Sequence, residues 1–384
     1  MPMLAHIRQS RLVHALQRVM RALPAQSPMP ILSGLYMEAR PDGVTFVCSG
    51  FGLRMESELA AQPDDVRIET PGTVVIPAKQ AYELVRKLPD GPVSFEAGAD
   101  GRTVTIRTDA TVCRLWSMSP DEYPAASSLE PDRHRIRLRS DELKTMIRQV
   151  AFAVSPSETR PILTGVSCRF DGGSVKLVAS DGIRLASRQS PPGSGGDGEP
   201  LEVVVPGHHL NQLMKTLEDD GQAVTDISVR GARIVFASRD WSLHSALLEG
   251  AYPPTDNVVP RSVSARIGIG TAPFLQALER VGLLAGEGSI VRLATETTDD
   301  GRFLRLWSDT AELGDIVERL PIFGSEGGDF AVSFNGKYML EIVRSIDCGA
   351  LHLQFAGPLR PIALRPAEDG DRLFYVLTPI RTHV

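Results

Sequence analysis

One pattern occurs three times along the chain at intervals of about 130 residues, and it constrains the fold more than any other feature of the sequence. The hexapeptide Met29–Gly34 returns as Arg160–Gly165, so that the second Pro-Ile-Leu motif follows the first by 131 positions (161 − 30). Val44–Ser49 returns at the same interval as Val175–Ser180, and more faintly as Leu304–Asp309. A repeat of this length indicates one structural unit present in three copies.

Each copy contains two predicted helices. The first helices are Ser10–Leu23, Ser140–Val154 and Thr271–Ala285. The second helices follow Val74–Pro77 as far as Leu88, Val203–Pro206 as far as Leu217, and Val332–Asn335 as far as Ile346. Proline suits a first helical turn and asparagine suits an N-cap, so these positions favour helix starts. We therefore expect three domains of one fold, comprising residues 1–130, 131–260 and 261–384.

The segments between these helices have the composition of strands. Val104–Arg107 and Leu201–Val205 are rich in β-branched residues. Asp-Gly pairs that begin at Asp42, Asp90 and Asp171 predict turns between strands. The expected fold class is α+β, with two helices in each domain packed on antiparallel sheets.

The charge balance and the hydropathy pattern exclude several classes of protein. The chain has 41 Lys and Arg residues against 47 Asp and Glu residues, a formal net charge of −6. Such a chain does not simply coat nucleic acid, although its basic residues can still share one face. It has no apolar run long enough to span a membrane and no signal-peptide pattern, so we expect a cytoplasmic protein. Its four cysteines lack any CxxC spacing and are expected to be reduced and buried.

Basic residues are concentrated on the six predicted helices, whereas acidic residues cluster in loops such as Glu218–Asp220. The basic positions are Arg11, Arg18, Arg21, Lys79, Arg86, Lys144, Arg148, Lys215, Arg280, Lys337 and Arg344. If the fold places these helices on one surface, that surface attracts phosphates without reading bases, as movement along a duplex requires. The alternative is that these residues form the solvated faces of amphipathic helices.

No arrangement of residues predicts catalysis, a metal site or a cofactor. His208 and His209 are adjacent, so on a helix their side chains are expected to point in different directions, and they lack the i, i+4 spacing of a zinc-binding pair. Phosphate-binding loops, GxSxG motifs and dinucleotide fingerprints are all missing from the sequence. Asp181 and Arg184 fit a turn-capping carboxylate and a pocket-lining cation better than a catalytic pair.

Five segments occur in order along the repeats: Ser157–Gly165, Ala179–Ala186, Phe334–Leu340, Gly357–Pro361 and Leu377–Arg381. With them the whole chain resembles the beta subunits of bacterial DNA polymerase III, the sliding-clamp family. The resemblance implies a non-catalytic clamp fold in which two chains join head to tail as a six-domain ring around duplex DNA. It implies three kinds of partner, namely the polymerase III catalytic subunit, the clamp loader and repair polymerases. The alternative is a non-ring scaffold or DNA-binding module built from three repeats.

The resemblance also implies a pocket between the second and third domains that accepts short peptide motifs of these partners. Its expected lining is Leu163, Ser180, Gly182, Ile183, Arg184, Leu185, Pro253, Val258, Asn335, Tyr338, Leu359, Pro361, Val376, Leu377, Thr378, Pro379, Ile380 and Arg381. By position, Leu115, Leu283 and Leu284 are expected at the dimer interface. For the apolar members of both sets, ordinary core packing is the alternative.

Overall fold

The structure is a computed structural model that describes residues 3–27, 29–98, 101–124, 134–171, 173–191, 200–255, 257–260, 262–299 and 301–381. The chain forms two compact units. Unit 1 comprises residues 1–141 and 215–247, and unit 2 comprises residues 142–214 and 248–384. The middle third of the chain therefore contributes to both units.

The described part of each third of the chain contains two α-helices among its strands. The first third has β1 (Leu4–Arg8), α1 (Gln9–Val19), β2 (Gly34–Arg40), β3 (Gly43–Gly50), β4 (Leu53–Ala60), β5 (Val66–Thr70), β6 (Gly72–Pro77), α2 (Ala78–Lys87), β7 (Pro92–Ala97), β8 (Thr103–Arg107) and β9 (Val112–Trp116). The second has β10 (His134–Arg139), α3 (Ser140–Val150), β11 (Gly165–Asp171), β12 (Ser174–Ser180), β13 (Arg184–Gln189), β14 (Leu201–Pro206), α4 (Gly207–Met214), β15 (Val224–Arg230), β16 (Arg233–Ala237) and β17 (Trp241–Ala246). The third has β18 (Ala265–Gly270), α5 (Thr271–Gly282), β19 (Ile290–Thr298), β20 (Gly301–Thr310), β21 (Gly314–Pro321), β22 (Phe323–Gly327), β23 (Ala331–Asn335), α6 (Gly336–Arg344), β24 (Ala350–Phe355), β25 (Ile362–Pro366) and β26 (Leu373–Leu377).

Unit 1 contains a five-stranded sheet in the order β5-β1-β7-β8-β9 and an eight-stranded sheet in the order β10-β15-β16-β17-β4-β3-β2-β6. The larger sheet joins the first and second repeats because β17 pairs antiparallel with β4, with Trp241 opposite Ser57. Helix α1 packs against α2 and over β3 and β4, and it buries Leu12, Leu16 and Val19. The apolar side chains of α1 therefore face the sheet, as expected of an amphipathic helix.

Unit 2 repeats this arrangement with the second and third repeats. Its nine-stranded sheet runs β14-β11-β12-β13-β26-β25-β24-β18-β22, and its four-stranded sheet runs β21-β20-β19-β23. Here β13 pairs antiparallel with β26, and Arg184 lies opposite Leu377. Helix α5 packs on β20 and β21 and against α6, burying Phe274, Leu278 and Val281. Each long sheet thus continues from one repeat into the next.

The helix predictions locate the helices correctly and overestimate their length. The final turns of the first two repeats' opening helices tighten into 3-10 helices, at Met20–Ala22 and at Ala151–Ala153. Pro77 is the residue before α2, with φ −56° and ψ 111°, and not a member of its first turn. Asn335 is the predicted N-cap, because its Oδ1 accepts hydrogen bonds from the amides of Lys337 and Tyr338 at 3.0 and 3.3 Å.

The turn predictions have mixed outcomes. The turn that begins at Asp42 joins strands β2 and β3 as expected. Asp90 and Gly91 instead connect helix α2 to strand β7, so that prediction of a strand–strand turn was wrong. The pair at Asp171 lies partly outside the described residues, because Gly172 is not described. Within the described residues no helix has the length and apolar character needed to cross a membrane.

Candidate functional site

A cavity of about 160 Å³ opens in unit 2 beside the pairing of β13 with β26. Its wall combines the turn between β12 and β13, the segment after β17 and the end of β26. The lining residues of this unit 2 cavity are Arg160, Leu163, Ser180, Gly182, Ile183, Arg184, Leu185, Tyr252, Pro253, Pro254, Thr255, Val258, Val376 and Thr378. A cavity of about 150 Å³ accommodates a benzene-sized group, so this one can take a single large apolar side chain.

The turn between β12 and β13 holds one wall rigidly. Asp181 Oδ1 accepts hydrogen bonds from the amides of Ile183 and Arg184, both at 2.9 Å. Ser180 Oγ donates to the carbonyl of Arg184 at 2.7 Å. Gly182 has φ 91°, a left-handed conformation that favours glycine. The turn leaves the side chain of Ile183 46% exposed at the cavity, where an apolar ligand can contact it.

Arg184 is buried under this turn, and each of its three guanidinium nitrogens has a partner. Nε donates to Asp181 Oδ2 at 3.1 Å, a second nitrogen donates to the Phe152 carbonyl at 2.8 Å, and a third pairs with Glu341. The guanidinium carbon also lies 4.4 Å from the ring centroid of Tyr338. Arg184 therefore shapes the wall, and each of its three guanidinium nitrogens makes a hydrogen bond within the protein.

A buried hydrophobic cluster supports the cavity from below. Val178, Leu185 and Val376 form the cluster, and Tyr252 packs against it. The Tyr252 hydroxyl accepts a hydrogen bond from the Ser180 amide at 2.8 Å. Burial raises the pKa of Tyr252 to about 12, so the phenol is neutral at physiological pH. This bond connects the segment after β17 to the turn that carries Ile183.

Ten of the eighteen residues expected in the pocket line the unit 2 cavity. Among the other eight, Asn335 caps α6 and Tyr338 stacks on Arg184. Leu377 is fully buried in β26, so for this residue core packing is the structural role. Leu359 is 57% exposed, and the Ile380 amide donates to the Ser333 carbonyl at 2.7 Å. Pro361 and Pro379 are half-buried and Arg381 is exposed.

Four lining residues were not expected: Arg160, Tyr252, Pro254 and Thr255. Sequence signals for two of them existed. Arg160 opens the repeated Pro-Ile-Leu motif, and Tyr252 begins the Tyr-Pro pair that closes the repeat and recurs from Tyr123.

Among the basic helix residues, Arg18 does not fit the expected contact with phosphates. Its side chain is 6% exposed and donates to Asp240 at 2.5 Å and to Glu218 at 2.7 Å. A guanidinium neutralised by two carboxylates and removed from water offers no charge to DNA. Burial, followed by the charge of Arg18, lowers the pKa of the half-buried Arg21.

The other basic positions differ in their surroundings. Arg148 pairs with Asp347, Arg280 with Glu318, Arg344 with Glu279 and Arg86 with Glu83. Lys144 is half-buried. Exposed side chains belong to Arg11, Lys79, Arg86, Lys215, Arg280, Lys337 and Arg344. Exposed ion pairs contribute little to stability and exchange readily for other partners, so these cations remain able to meet a phosphate.

The expected interface leucines lie in different surroundings. Leu283 is 77% exposed just after α5, and Leu284 is half-buried. Leu115 is half-buried in β9, which is the edge strand of the five-stranded sheet. Trp116, the next residue of β9, is 75% exposed. Edge strands with exposed apolar side chains are suited to pairing with another chain.

The histidine prediction needs one correction. The rings of His208 and His209 do not diverge, because their centroids lie 4.1 Å apart in an edge-to-face contact. His209 is buried, and burial lowers the pKa of His208. Across the described ranges no group of three His, Cys, Asp or Glu residues is arranged to hold a metal ion.

Comparison with protein families matches the chain along almost its whole length. The N-terminal, central and C-terminal domain models of the DNA polymerase III beta subunit match residues 3–127, 137–254 and 256–381. The beta sliding clamp of Bacillus subtilis is 34% identical over 382 residues, which cover 98% of this chain and 99% of the relative. That of Halalkalibacterium halodurans is 34% identical over 375 residues, 97% of each chain.

Solved structures agree with these matches. The DNA polymerase sliding clamp of Bacillus subtilis superposes with a TM-score of 0.93 at 32% identity, covering 100% of both chains. The polymerase beta subunit of Streptococcus pyogenes gives a TM-score of 0.91 at 26% identity, covering 99% of this chain and 100% of that one. The expected α+β clamp fold of three repeated domains is thereby confirmed. The chain belongs to the DNA polymerase III beta subunit family.

Proposed function

We propose that this protein is a DNA sliding clamp, a non-catalytic processivity factor of the replicative polymerase. Two copies join head to tail as a ring around duplex DNA, and the ring tethers the polymerase to its template. The observation that carries this proposal is the match of all three beta-subunit domains in order, together with a TM-score of 0.93 to a solved clamp. Because the DNA and its polymerase are in the cytoplasm of a bacterium, the proposal includes that location.

The ring holds DNA by topology, so its contacts with DNA need only be weak and independent of sequence. Seven of the basic helix positions have exposed side chains. Their charges attract phosphates at any position along a duplex, whereas hydrogen bonds to base edges would stop the ring at particular sites. Arg18 is excluded from this set because two carboxylates already neutralise it.

The unit 2 cavity is the proposed docking site for short peptide motifs of the polymerase, the clamp loader and repair polymerases. Its apolar wall, with the exposed Ile183 and Val258, suits an extended peptide that inserts an apolar anchor. Of the polar neighbours, Arg184 already pairs with Asp181, Glu341 and the Phe152 carbonyl inside the protein. We therefore expect binding to be governed by apolar contact, with hydrogen bonds from backbone groups.

Retention on closed-circular and on linearised plasmid tests the ring directly. After loading in moderately high salt, we expect the protein to remain on circles and to leave linear DNA through its ends. The matched variant is Leu283→Asp, which places a charge at a 77% exposed leucine of the proposed interface and spares the core. It should sediment as a folded monomer and be lost from both DNAs. Equal, salt-sensitive binding of the wild-type protein to both DNAs would instead identify an ordinary electrostatic binder or a non-ring scaffold.

A further inference from the structure

Unit 1 contains a second cavity, of about 250 Å³, that the function proposed above does not use. Its lining residues are Ser27, Met29, Leu32, Ser49, Gly50, Phe51, Gly52, Leu53, Arg54, Pro124 and Arg233. All of them belong to unit 1. The volume is larger than that of the unit 2 cavity, so this unit 1 cavity also has room for one large apolar side chain.

The repeat places the two cavities at equivalent positions of the fold. Leu32 and Ser49 of the unit 1 cavity correspond at 131 positions to Leu163 and Ser180 of the unit 2 cavity. Pro124 corresponds in the same way to Pro253, at 129 positions (253 − 124). The unit 1 cavity lies beside the pairing of β4 with β17, as the unit 2 cavity lies beside that of β13 with β26.

Hydrophobic clusters that share two repeat-related positions, Val47 with Val178 and Tyr123 with Tyr252, lie beside the two cavities. In unit 1 the cluster is Ile31, Val47, Val75 and Tyr123, with Leu32 packed against it. Tyr123 occupies the position of Tyr252, and its hydroxyl donates to the Val47 carbonyl at 3.3 Å. The unit 1 cavity is therefore a built feature of the repeat with a packed floor.

The rim of the unit 1 cavity exposes apolar surface to solvent. Phe51 is 67% exposed and Met29 is 49% exposed, and both line the cavity. Full burial of a large apolar side chain is favoured by about 1.5–3 kcal/mol over exposure to water. A ligand that covers Phe51 therefore gains binding free energy from removing this ring from water.

The charge at this rim indicates what kind of ligand fits. Arg54 is occupied, because it donates to Glu56 at 2.6 Å and to the Pro124 carbonyl at 2.9 Å. Arg233 differs: within the described ranges its guanidinium has no ion pair and no side-chain hydrogen bond. A cation beside an apolar cavity favours a ligand that presents a carboxylate next to an apolar group.

We propose that the unit 1 cavity is a second docking site, for an extended peptide segment of a partner protein that carries an apolar side chain beside an acidic residue. The apolar side chain enters between Leu32, Leu53 and Phe51, and the carboxylate pairs with Arg233. Each chain then offers two peptide sites at repeat-related positions, with different chemistry.

Photo-crosslinking of the full-length protein tests this assignment. The probe is the peptide acetyl-Asp-Leu-benzoylphenylalanine-amide, and the crosslinked residues are identified by mass spectrometry. We expect crosslinks in two places, near Phe51 in unit 1 and near Ile183 in unit 2. Arg233→Glu should reduce the unit 1 yield about tenfold, the loss of roughly one charge-assisted contact, and leave the unit 2 yield unchanged.

Two controls make the outcome decisive. Arg239→Glu makes the same charge change at an exposed residue of unit 1 that does not line the cavity, and should leave both yields unchanged. A peptide with Lys in place of Asp should lose the unit 1 crosslink alone. Crosslinks found only in unit 2, or a crosslinking yield in unit 1 that Arg233→Glu does not change, would overturn the second site. Either result would leave the proposed function as it stands. Loss of the unit 2 crosslink alone would count against the primary pocket.

Discussion

The turn Ser180–Arg184 in unit 2 and the turn Ser49–Leu53 in unit 1 occupy the same place in the repeat. In unit 2 the turn contains Asp181 and ends in Arg184, and Arg184 Nε forms an ion pair with Asp181 Oδ2 at 3.1 Å. In unit 1 the same positions are Gly50 and Leu53, and the polar network is absent from them because neither residue has a polar side chain. The repeat thus determines where a cavity forms, while individual side chains determine what its wall is made of.

This difference has a physical basis in packing. A Cβ added at Gly50 would lie 2.7 Å from the Ala22 carbonyl oxygen and 2.9 Å from Pro24 Cδ, so unit 1 has no room for an aspartate there. Without that carboxylate an arginine at position 53 would be a buried, unpaired charge, which is costly. Leu53, only 7% exposed, is therefore the compatible residue in unit 1.

The largest expected effect is that of Arg184→Ala on stability. The side chains of Arg184 and Asp181 are 7% and 5% exposed, so removing the cation leaves a buried carboxylate without its partner. We expect a loss of about 3–5 kcal/mol in the free energy of unfolding of unit 2, measured by denaturant titration. A loss below about 1 kcal/mol would mean that the ion pair adds little and that the hydrogen bonds of Asp181 Oδ1 and Ser180 Oγ to the backbone hold the turn.

The second prediction concerns peptide affinity. Ile183→Asp places a charge at a 46% exposed position of the unit 2 cavity, and we expect polymerase-derived peptides to bind at least about tenfold more weakly, measured by fluorescence anisotropy. Stability should be almost unchanged because the side chain is not in the core. The matched control is Val263→Asp, at 45% exposure outside the cavity lining, which should retain the full affinity.

The third prediction contrasts two ion pairs that are related by the repeat. Arg18 pairs with Glu218 in unit 1, and Arg148 pairs with Asp347 in unit 2. The two arginines are 130 positions apart (148 − 18), and the two acidic residues are 129 positions apart (347 − 218). Arg18 is 6% exposed and Arg148 is 39% exposed. We expect Arg18→Ala to cost about 2 kcal/mol and Arg148→Ala less than about 1 kcal/mol, since solvent screens the latter pair. Thermal unfolding measures both losses of stability, and equal losses for the two variants would show that burial does not strengthen the Arg18 pair.

The smallest expected effect concerns the two tyrosines under the cavities. Tyr252 makes the shorter hydrogen bond, 2.8 Å against 3.3 Å for Tyr123. Tyr252→Phe should therefore cost about 1 kcal/mol at pH 7, and Tyr123→Phe about half of that. Both differences are measured by denaturant unfolding.

The pH dependence of the Tyr252→Phe difference follows from linkage. Burial raises the pKa of Tyr252 to about 12 in the folded state, above the value of about 10 in the unfolded chain. The unfolded phenol therefore ionises first, and the contribution of Tyr252 is complete below pH 10 and lost as the pH rises towards 12. We expect the stability gap between wild type and Tyr252→Phe to shrink and then to change sign as the pH rises from 10 to 12. A gap that stays constant through this range would contradict the burial of the hydroxyl.

The family resemblance implied most of the candidate site, including Leu163 and Ser180, which also lie in segments that recur at a fixed interval. Asn335 was predicted as an N-cap from its place at the start of an apolar helix. Arg160 and Tyr252 were missed although they lie in the same repeated segments. Leu377 was expected in the pocket and is fully buried. The sequence of a single strand does not show which of its two faces packs against the core and which one faces the pocket.

The sequence by itself determined the repeat, the approximate positions of the six helices and the family, because these depend on local patterns and on intervals along the chain. Only the tertiary structure decided that Arg18 is buried while Arg148 is not, since the carboxylates that neutralise Arg18 come from positions 218 and 240, about 200 residues away. It also decided that one repeated turn carries a buried ion pair and the other an apolar wall beside Arg233. Burial and pairing are properties of neighbours in space, and the energy of a charge is set by those neighbours.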